Sequence, residues 1–159
     1  MKKFYSSALG MILFAAANAQ TSANASQTVT LNLQNQISIS VVSATGTDFT
    51  FATTADYTSG LTNTNASSFS VSSNKPWAVT VAAATANFSS SSSTPMPCSK
   101  LSVKLNGGGA FGALSTSAAS LTTGSRGTST FAVDYNANPG FSYDAGTYTL
   151  SVVYTATQQ

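Results

Sequence analysis

The sequence predicts an all-β fold, an antiparallel sandwich of about eight strands, from three observations. Serine and threonine supply 50 of the 159 residues, while glutamate and histidine are absent. Threonine's branched Cβ is stiff at χ1 and suits a pleated strand, and the straight-chain helix formers are scarce. Apolar residues recur at every second position in run after run, the spacing of a strand with one buried face. Between the runs stand turn-forming clusters: Gly46, Ser59-Gly60, Asn74-Lys75-Pro76, Asn106-Gly107-Gly108-Gly109, Gly124 to Gly127 and Asn138-Pro139-Gly140. Short strands at such intervals build sandwiches, and helical periods reach no further than 82–86 or 115–121.

At the N-terminus Lys2 and Lys3 precede a ten-residue apolar stretch over 8–17, and Ala17-Asn18-Ala19 offers the small residues that a signal peptidase requires. Residues 1–19 therefore read as a cleaved secretory signal and residues 20–159 as a single sandwich domain. A membrane span takes roughly 20 apolar residues, more than any stretch here provides. The protein is expected to be secreted, periplasmic or extracellular at the cell surface, with no membrane span.

The first strand signal is long. Val29, Leu31, Leu33, Asn35, Ile37, Ile39 and Val41 hold the odd positions, and Thr30, Asn32, Gln34, Gln36, Ser38 and Ser40 the even ones. This is more than twice the usual five or six residues, so the stretch either bends near Asn35 and changes sheets or overhangs its own domain. Shorter alternating runs follow at Phe49 and Phe51, at Phe69 and Val71, at Trp77, Val79 and Val81, at Leu101, Val103 and Leu105, and at Phe131, Val133 and Tyr135. Asn106-Gly107 signals a hairpin loosened by the extra glycines, and 136–145 a loop between the last two strands. The closing run, Tyr148, Leu150, Val152, Tyr154 and Ala156, has the clearest alternation and ties down the chain end beside the first strand or at the opposite edge. If Val153 also meets apolar surface, that strand is central.

Without residues 1–19, four cations face four aspartates, so there is no basic surface to steer the chain to nucleic acid. A single cysteine, Cys98, excludes an internal disulfide; it sits in a loop-like SSSSSTPMPCS stretch, as a spare thiol or an intermolecular link.

Catalytic chemistry has little to draw on. General acid–base work at neutral pH recruits His or Glu, and the serines and Cys98 have no histidine to activate them, so no catalytic residue and no cofactor is expected. Asp134 and Asp144 flank one loop and, with Asn136 and Asn138, approach the oxygen count of a calcium site, but turn chemistry accounts for them more simply and no metal site is expected. GGGAFG over 107–112 lacks the Lys-Ser/Thr of a phosphate loop. Trp77 and Tyr135 share their faces with apolar residues and read as core. Tyr57, Phe141 and Tyr143 lie in or near loops and are candidate contacts for a cell-surface glycan.

Three segments carry a resemblance. LNLQNQISIS, NKPWAVTV and AGTYTLSVVYTAT, taken together over most of the chain, resemble the small secreted bacterial sandwich proteins related to WxL-domain surface proteins. Trp77-Ala78-Val79 stands where that family has Trp-x-Leu, and Tyr154-Thr155-Ala156 where it has a second. The resemblance implies an immunoglobulin-like, WxL-like sandwich and attachment at the cell surface. More distantly the chain is similar to chaperone-usher pilus subunits, without their cysteine pair.

These readings converge on a non-enzymatic structural or adhesive surface protein, with a fimbrial-type subunit among the expected forms and a glycan-binding module as the alternative. No Lys, Arg or Pro occurs between Gln20 and Ser73, although natural strand edges are commonly protected by such residues. The uncharged segment holding Val29, Leu31, Leu33, Ile37, Ile39 and Val41 is therefore a candidate self-assembly strand, pairing with another copy or a related subunit by β-augmentation.

Overall fold

Period-two alternation becomes paired strands in a computed structural model that describes residues 22–159. The secretory signal read over 1–19 lies outside the described residues. Contacts divide the chain between Asn32 and Leu33. Ahead of that division, residues 22–32 have no regular secondary structure and are exposed.

Residues Leu33–Gln159 form an all-β sandwich. Its strands are β1 (Ile37–Ala44), β2 (Leu61–Ser73), β3 (Trp77–Ala83), β4 (Ser89–Ser90), β5 (Leu101–Leu105), β6 (Gly112–Ala113), β7 (Ala119–Gly124), β8 (Gly127–Ala137), β9 (Tyr148–Thr149) and β10 (Val152–Gln158). A five-stranded sheet in the order β1-β2-β8-β5-β6 packs on a three-stranded sheet in the order β10-β3-β7, and β4 pairs with β9 alone. Every pairing is antiparallel.

The alternating residues supply the interlayer core as their period requires. In β3, Trp77, Val79, Val81 and Ala83 are buried while the residues between them are half-exposed. Val71, Val79 and Val133 are sealed completely. Phe69 of β2 stacks on its register partner Phe131 of β8, at 5.3 Å between ring centroids, and meets Tyr154 of the facing sheet at 4.2 Å. Burying side chains of this kind contributes roughly 1.5–3 kcal/mol each.

Trp77 depends on what it does not meet. It pairs in register with Gly124, and a Cβ added to Gly124 would stand 2.2 Å from Trp77 Cζ2 and 2.5 Å from Cε2. The indole is 2% exposed and has no room to retreat. Its Nε1–H has no acceptor among the described residues, so the ring contributes volume and not a hydrogen bond.

Asp134 is a buried charge on the face of β8 turned away from the core, since Val133 and Tyr135 point inward. It sits opposite an irregularity where β2 slips register between Asn63 and Ser67 and Asn65 takes a left-handed φ of 52°. The displaced Asn65 N–H donates to Asp134 Oδ1 at 2.8 Å, Asn106 Nδ2 donates to the same oxygen at 2.7 Å, and Lys104 Nζ stands 3.6 Å from Oδ2. Burial opposes the charged form, but the Asn106 and Asn65 bonds and the Lys104 charge outweigh it and hold the carboxyl below its ordinary value.

The structure departs from the sequence reading in several places. A helix, α1 (Thr54–Ser59), occurs where none is expected. It is a single capped turn and a half, too short to show a period. Thr53 Oγ1 accepts the Asp56 N–H at 3.3 Å and Asp56 Oδ2 accepts the Thr53 N–H at 2.8 Å, a capping box that lowers the Asp56 carboxyl through the backbone amides of Thr53 and Ala52. Phe49 and Phe51 are not in a strand, and 115–121 contributes to β7 instead of a helix. The closing run breaks after Thr149, where β9 leaves for β4. β10 then pairs with β3 as an outer strand of its sheet, with Val153 47% exposed, so it is not central. Cys98 is a free thiol buried in a 3-10 turn, its Sγ donating to Leu114 O at 3.4 Å, and not part of an open loop.

Gly124→Ala is expected to destabilise the sandwich by about 1–3 kcal/mol through overpacking, read as a lowered thermal midpoint with altered Trp77 fluorescence. Asp134→Asn keeps an oxygen for the two amide donors but removes the charge and turns an NH2 toward Lys104, and is expected to cost about 1–3 kcal/mol near neutral pH. Because the Asp134 carboxyl is lowered in the fold, its stabilisation is complete above the ordinary carboxylate value and is lost as pH falls through the native one. The acid limb of the stability profile should therefore be shallower in Asp134→Asn than in the parent chain.

Candidate functional site

Two places combine open volume with unused chemistry. The first is a seam between the sheets. β1 is one of the two outer strands of the five-stranded sheet and β10 one of the two of the three-stranded sheet, and the two come together without a hydrogen-bonded ladder. At one end they are clipped: Gln158 Nε2 lies 2.8 Å from Gln36 O, 3.0 Å from Asn74 Oδ1 and 3.1 Å from Ser73 Oγ. Asn74 also accepts the Gln36 N–H at 3.0 Å and donates Nδ2 to Gln34 O at 2.7 Å.

Toward Ala44 and Val152 the seam opens into a groove of about 390 Å³ walled by Ile39, Val41, Phe69, Val152 and Tyr154. Tyr135 of β8 and Tyr154 of β10 join the two sheets there through hydroxyls 2.7 Å apart. Burial raises both phenols above their ordinary value, and for Tyr154 the neighbouring Tyr135 adds to the effect. Neither β1 (ISISVVSA) nor β10 (VVYTATQ) contains a charge or a proline, so both outer edges present unprotected backbone groups.

The candidate self-assembly strand is divided by the fold. Ile37 and Ile39 belong to β1 and pack on the core, and Val41, in the same strand, is 61% exposed at the groove. Leu33 is 86% exposed with no strand pairing, and Val29 and Leu31, in the segment before it, are exposed to a similar degree.

The second place is an aromatic cleft of about 780 Å³ among residues 47–51, α1 and the loop following β8. Two of the three rings singled out in the sequence, Tyr57 and Tyr143, line it, and the third, Phe141, reaches it only through its stacking on Tyr57. Tyr57 lies between Phe51, at 5.3 Å, and Phe141, which stacks on it at 5.1 Å with 23° between planes. Tyr143 meets Tyr148 edge-on at 6.5 Å, and Lys100 Nζ is 6.0 Å from the Tyr143 centroid. The loop is pinned by Tyr148 Oη donating to Asp144 O at 2.9 Å and by Ser92 Oγ donating to Asp144 Oδ2 at 3.0 Å. Asp48, Phe49 and Phe88 also line the cleft, and no sequence signal separated Phe49 and Phe51 from strand residues, because they alternate.

Asp134 and Asp144 serve different neighbours, the first at the β2 irregularity and the second in the cleft. Asn136 Nδ2 donates to Leu61 O at 3.3 Å and Thr62 Oγ1 at 2.9 Å. Among the described residues no three acidic, histidine or cysteine side chains gather into a metal-binding group, and no helix is long and apolar enough to cross a membrane.

Tyr154→Phe is expected to cost about 1 kcal/mol of stability by leaving the Tyr135 hydroxyl without its partner. In an ultraviolet titration of the parent chain, Tyr135 and Tyr154 should stay protonated past the ordinary phenol value. Their raised values mean that stability is intact below pH 10 and falls as pH rises above it, so these two phenols should ionise only together with alkaline unfolding.

Neither a protein-family model nor a curated protein matches the chain.

Proposed function

We propose that this chain is a non-enzymatic structural or adhesive subunit that works outside the cytoplasm and assembles by strand addition. One copy lays its segment around Val29, Leu31 and Leu33 into the seam between β1 and β10 of the next. The single observation that carries this reading is that one chain holds both an apolar groove between two unprotected edges and an exposed, uncharged, alternating segment of the kind that fills such a groove. An added strand supplies backbone partners to an outer edge, and its alternate side chains replace water against Ile39, Phe69 and Tyr154. The leader pattern over 1–19 supports export, and the resemblance to WxL-domain and pilus proteins supports a place at the cell surface.

The reading is tested with the chain 20–159, the truncated chain 33–159, and two charged variants, Val29→Lys with Leu31→Lys and Val41→Lys. All three substituted side chains are exposed, so the fold should persist, as circular dichroism can verify. Light scattering and negative-stain images should show linear oligomers that lengthen with concentration for 20–159 and monomers for the others. A synthetic peptide of residues 27–35 should raise the thermal midpoint of 33–159. Monomers of 20–159 at every concentration, or oligomers unchanged by truncation, would overturn the proposal.

A further inference from the structure

The aromatic cleft is separate from the seam, and its chemistry has no part in strand addition. We infer that it is a carbohydrate-binding site for an uncharged oligosaccharide, with Tyr143 inside the cleft and Phe141, stacked on the cleft residue Tyr57, facing the sugar rings, and Asp48, Asp144 and Lys100 bonding their hydroxyls.

Phe141 is 66% exposed and, among the described residues, is the one aromatic among the large apolar side chains left in solvent; the rest are aliphatic residues of β1, β10 and the segment before β1. An exposed phenylalanine on a loop contributes little to folding, yet this one is held flat. Its inner face rests on Tyr57, which Phe51 backs in turn, so the outer face is a fixed apolar plane. Tyr57, Phe141 and Tyr143 belong to neither buried core cluster.

A pyranose ring presents an apolar C–H face and a rim of hydroxyls, so it needs a flat apolar surface beside donors and acceptors. The cleft has both. Asp48 and Asp144 supply carboxylate acceptors and Lys100 an ammonium donor within one wall set. Two carboxylates against one ammonium give no attraction for a polyanion, which excludes sulfated or uronic-acid-rich chains as the preferred ligand. The volume, about 780 Å³, falls within the roughly 300–1,000 Å³ of small-molecule sites and admits a short run of sugars. Side-chain bonds from Tyr148 and Ser92 already hold the loop, so little ordering remains to oppose binding.

The test is isothermal titration and affinity electrophoresis of the chain 20–159 against a fixed panel of probes: cellohexaose, xylohexaose, mannohexaose, chitohexaose, laminarihexaose, and heparin as the anionic control. At least one neutral hexaose should bind, and heparin should not. Phe141→Ala and Tyr143→Ala should each weaken that binding about tenfold, whereas Phe141→Tyr should retain it. Far-ultraviolet circular dichroism and the thermal midpoint of Phe141→Ala should match the parent chain. Val29→Lys with Leu31→Lys should bind the sugar as the parent does, which separates this outcome from that of strand addition. Failure of every neutral probe, binding by heparin alone, or affinity unchanged in both alanine variants would overturn the inference.

Discussion

Backbone amides and carbonyls at the edges of a sheet must find partners, and in this protein the two sheets leave that demand open. Five strands face three, and the outer strands β1 and β10 lie side by side without exchanging a ladder. An unpaired edge in contact with water is tolerable, because water supplies the missing bonds, but it is also a template for another strand. The usual protections are absent from both edges, whose outward residues are serine, threonine and aliphatic side chains. What closes the seam is a side-chain clip at one end, where Gln158 reaches three oxygens at once, and a tyrosine pair beneath the other.

That arrangement shows how a chain with neither a disulfide nor a charged surface is held together. Its hydroxyl-rich exterior adds little stability by itself, since each group exchanges water for an equivalent partner. The sandwich rests instead on the rings and valines between the layers and on a few buried polar devices. Asp134 is the most demanding of these. A carboxylate taken from water is costly unless several donors surround it, and here a displaced backbone amide, an asparagine and a lysine do so. The same carboxylate gives the irregular part of β2 a partner for an amide that the ladder has lost. Strand irregularity and buried charge are thus one feature, and neither would be stable without the other.

The elements differ in how plainly the sequence foretells them. β3 and β8 are evident from Trp77, Val79, Val81 and from Phe131, Val133, Tyr135, because a buried face on a regular strand forces alternation. Phe49 and Phe51 alternate equally well and belong to no strand; their rings turn toward a cleft whose other walls come from residues far along the chain. The helix at Thr54–Ser59 is set by a cap between Thr53 and Asp56 and has no periodic face to reveal it. For the cleft, Tyr57 and Tyr143 are visible as aromatics in or near loops, but their shared wall and the stacking of Phe141 on Tyr57 are not, nor is the part taken by Asp48 and Lys100.

By itself the sequence determined the class of fold, the alternating residues of the core and the lack of charge along the first and last strands. Each of these follows from local chemistry: a period of two, a branched or aromatic side chain, or the absence of a lysine. Only the tertiary structure decided where the long alternating stretch stops being a strand, which edges stand next to each other, and which loop rings stack. Those outcomes depend on contacts between residues distant in sequence, such as Gln158 with Gln36 or Tyr57 with Phe141, and no local pattern encodes such a pairing.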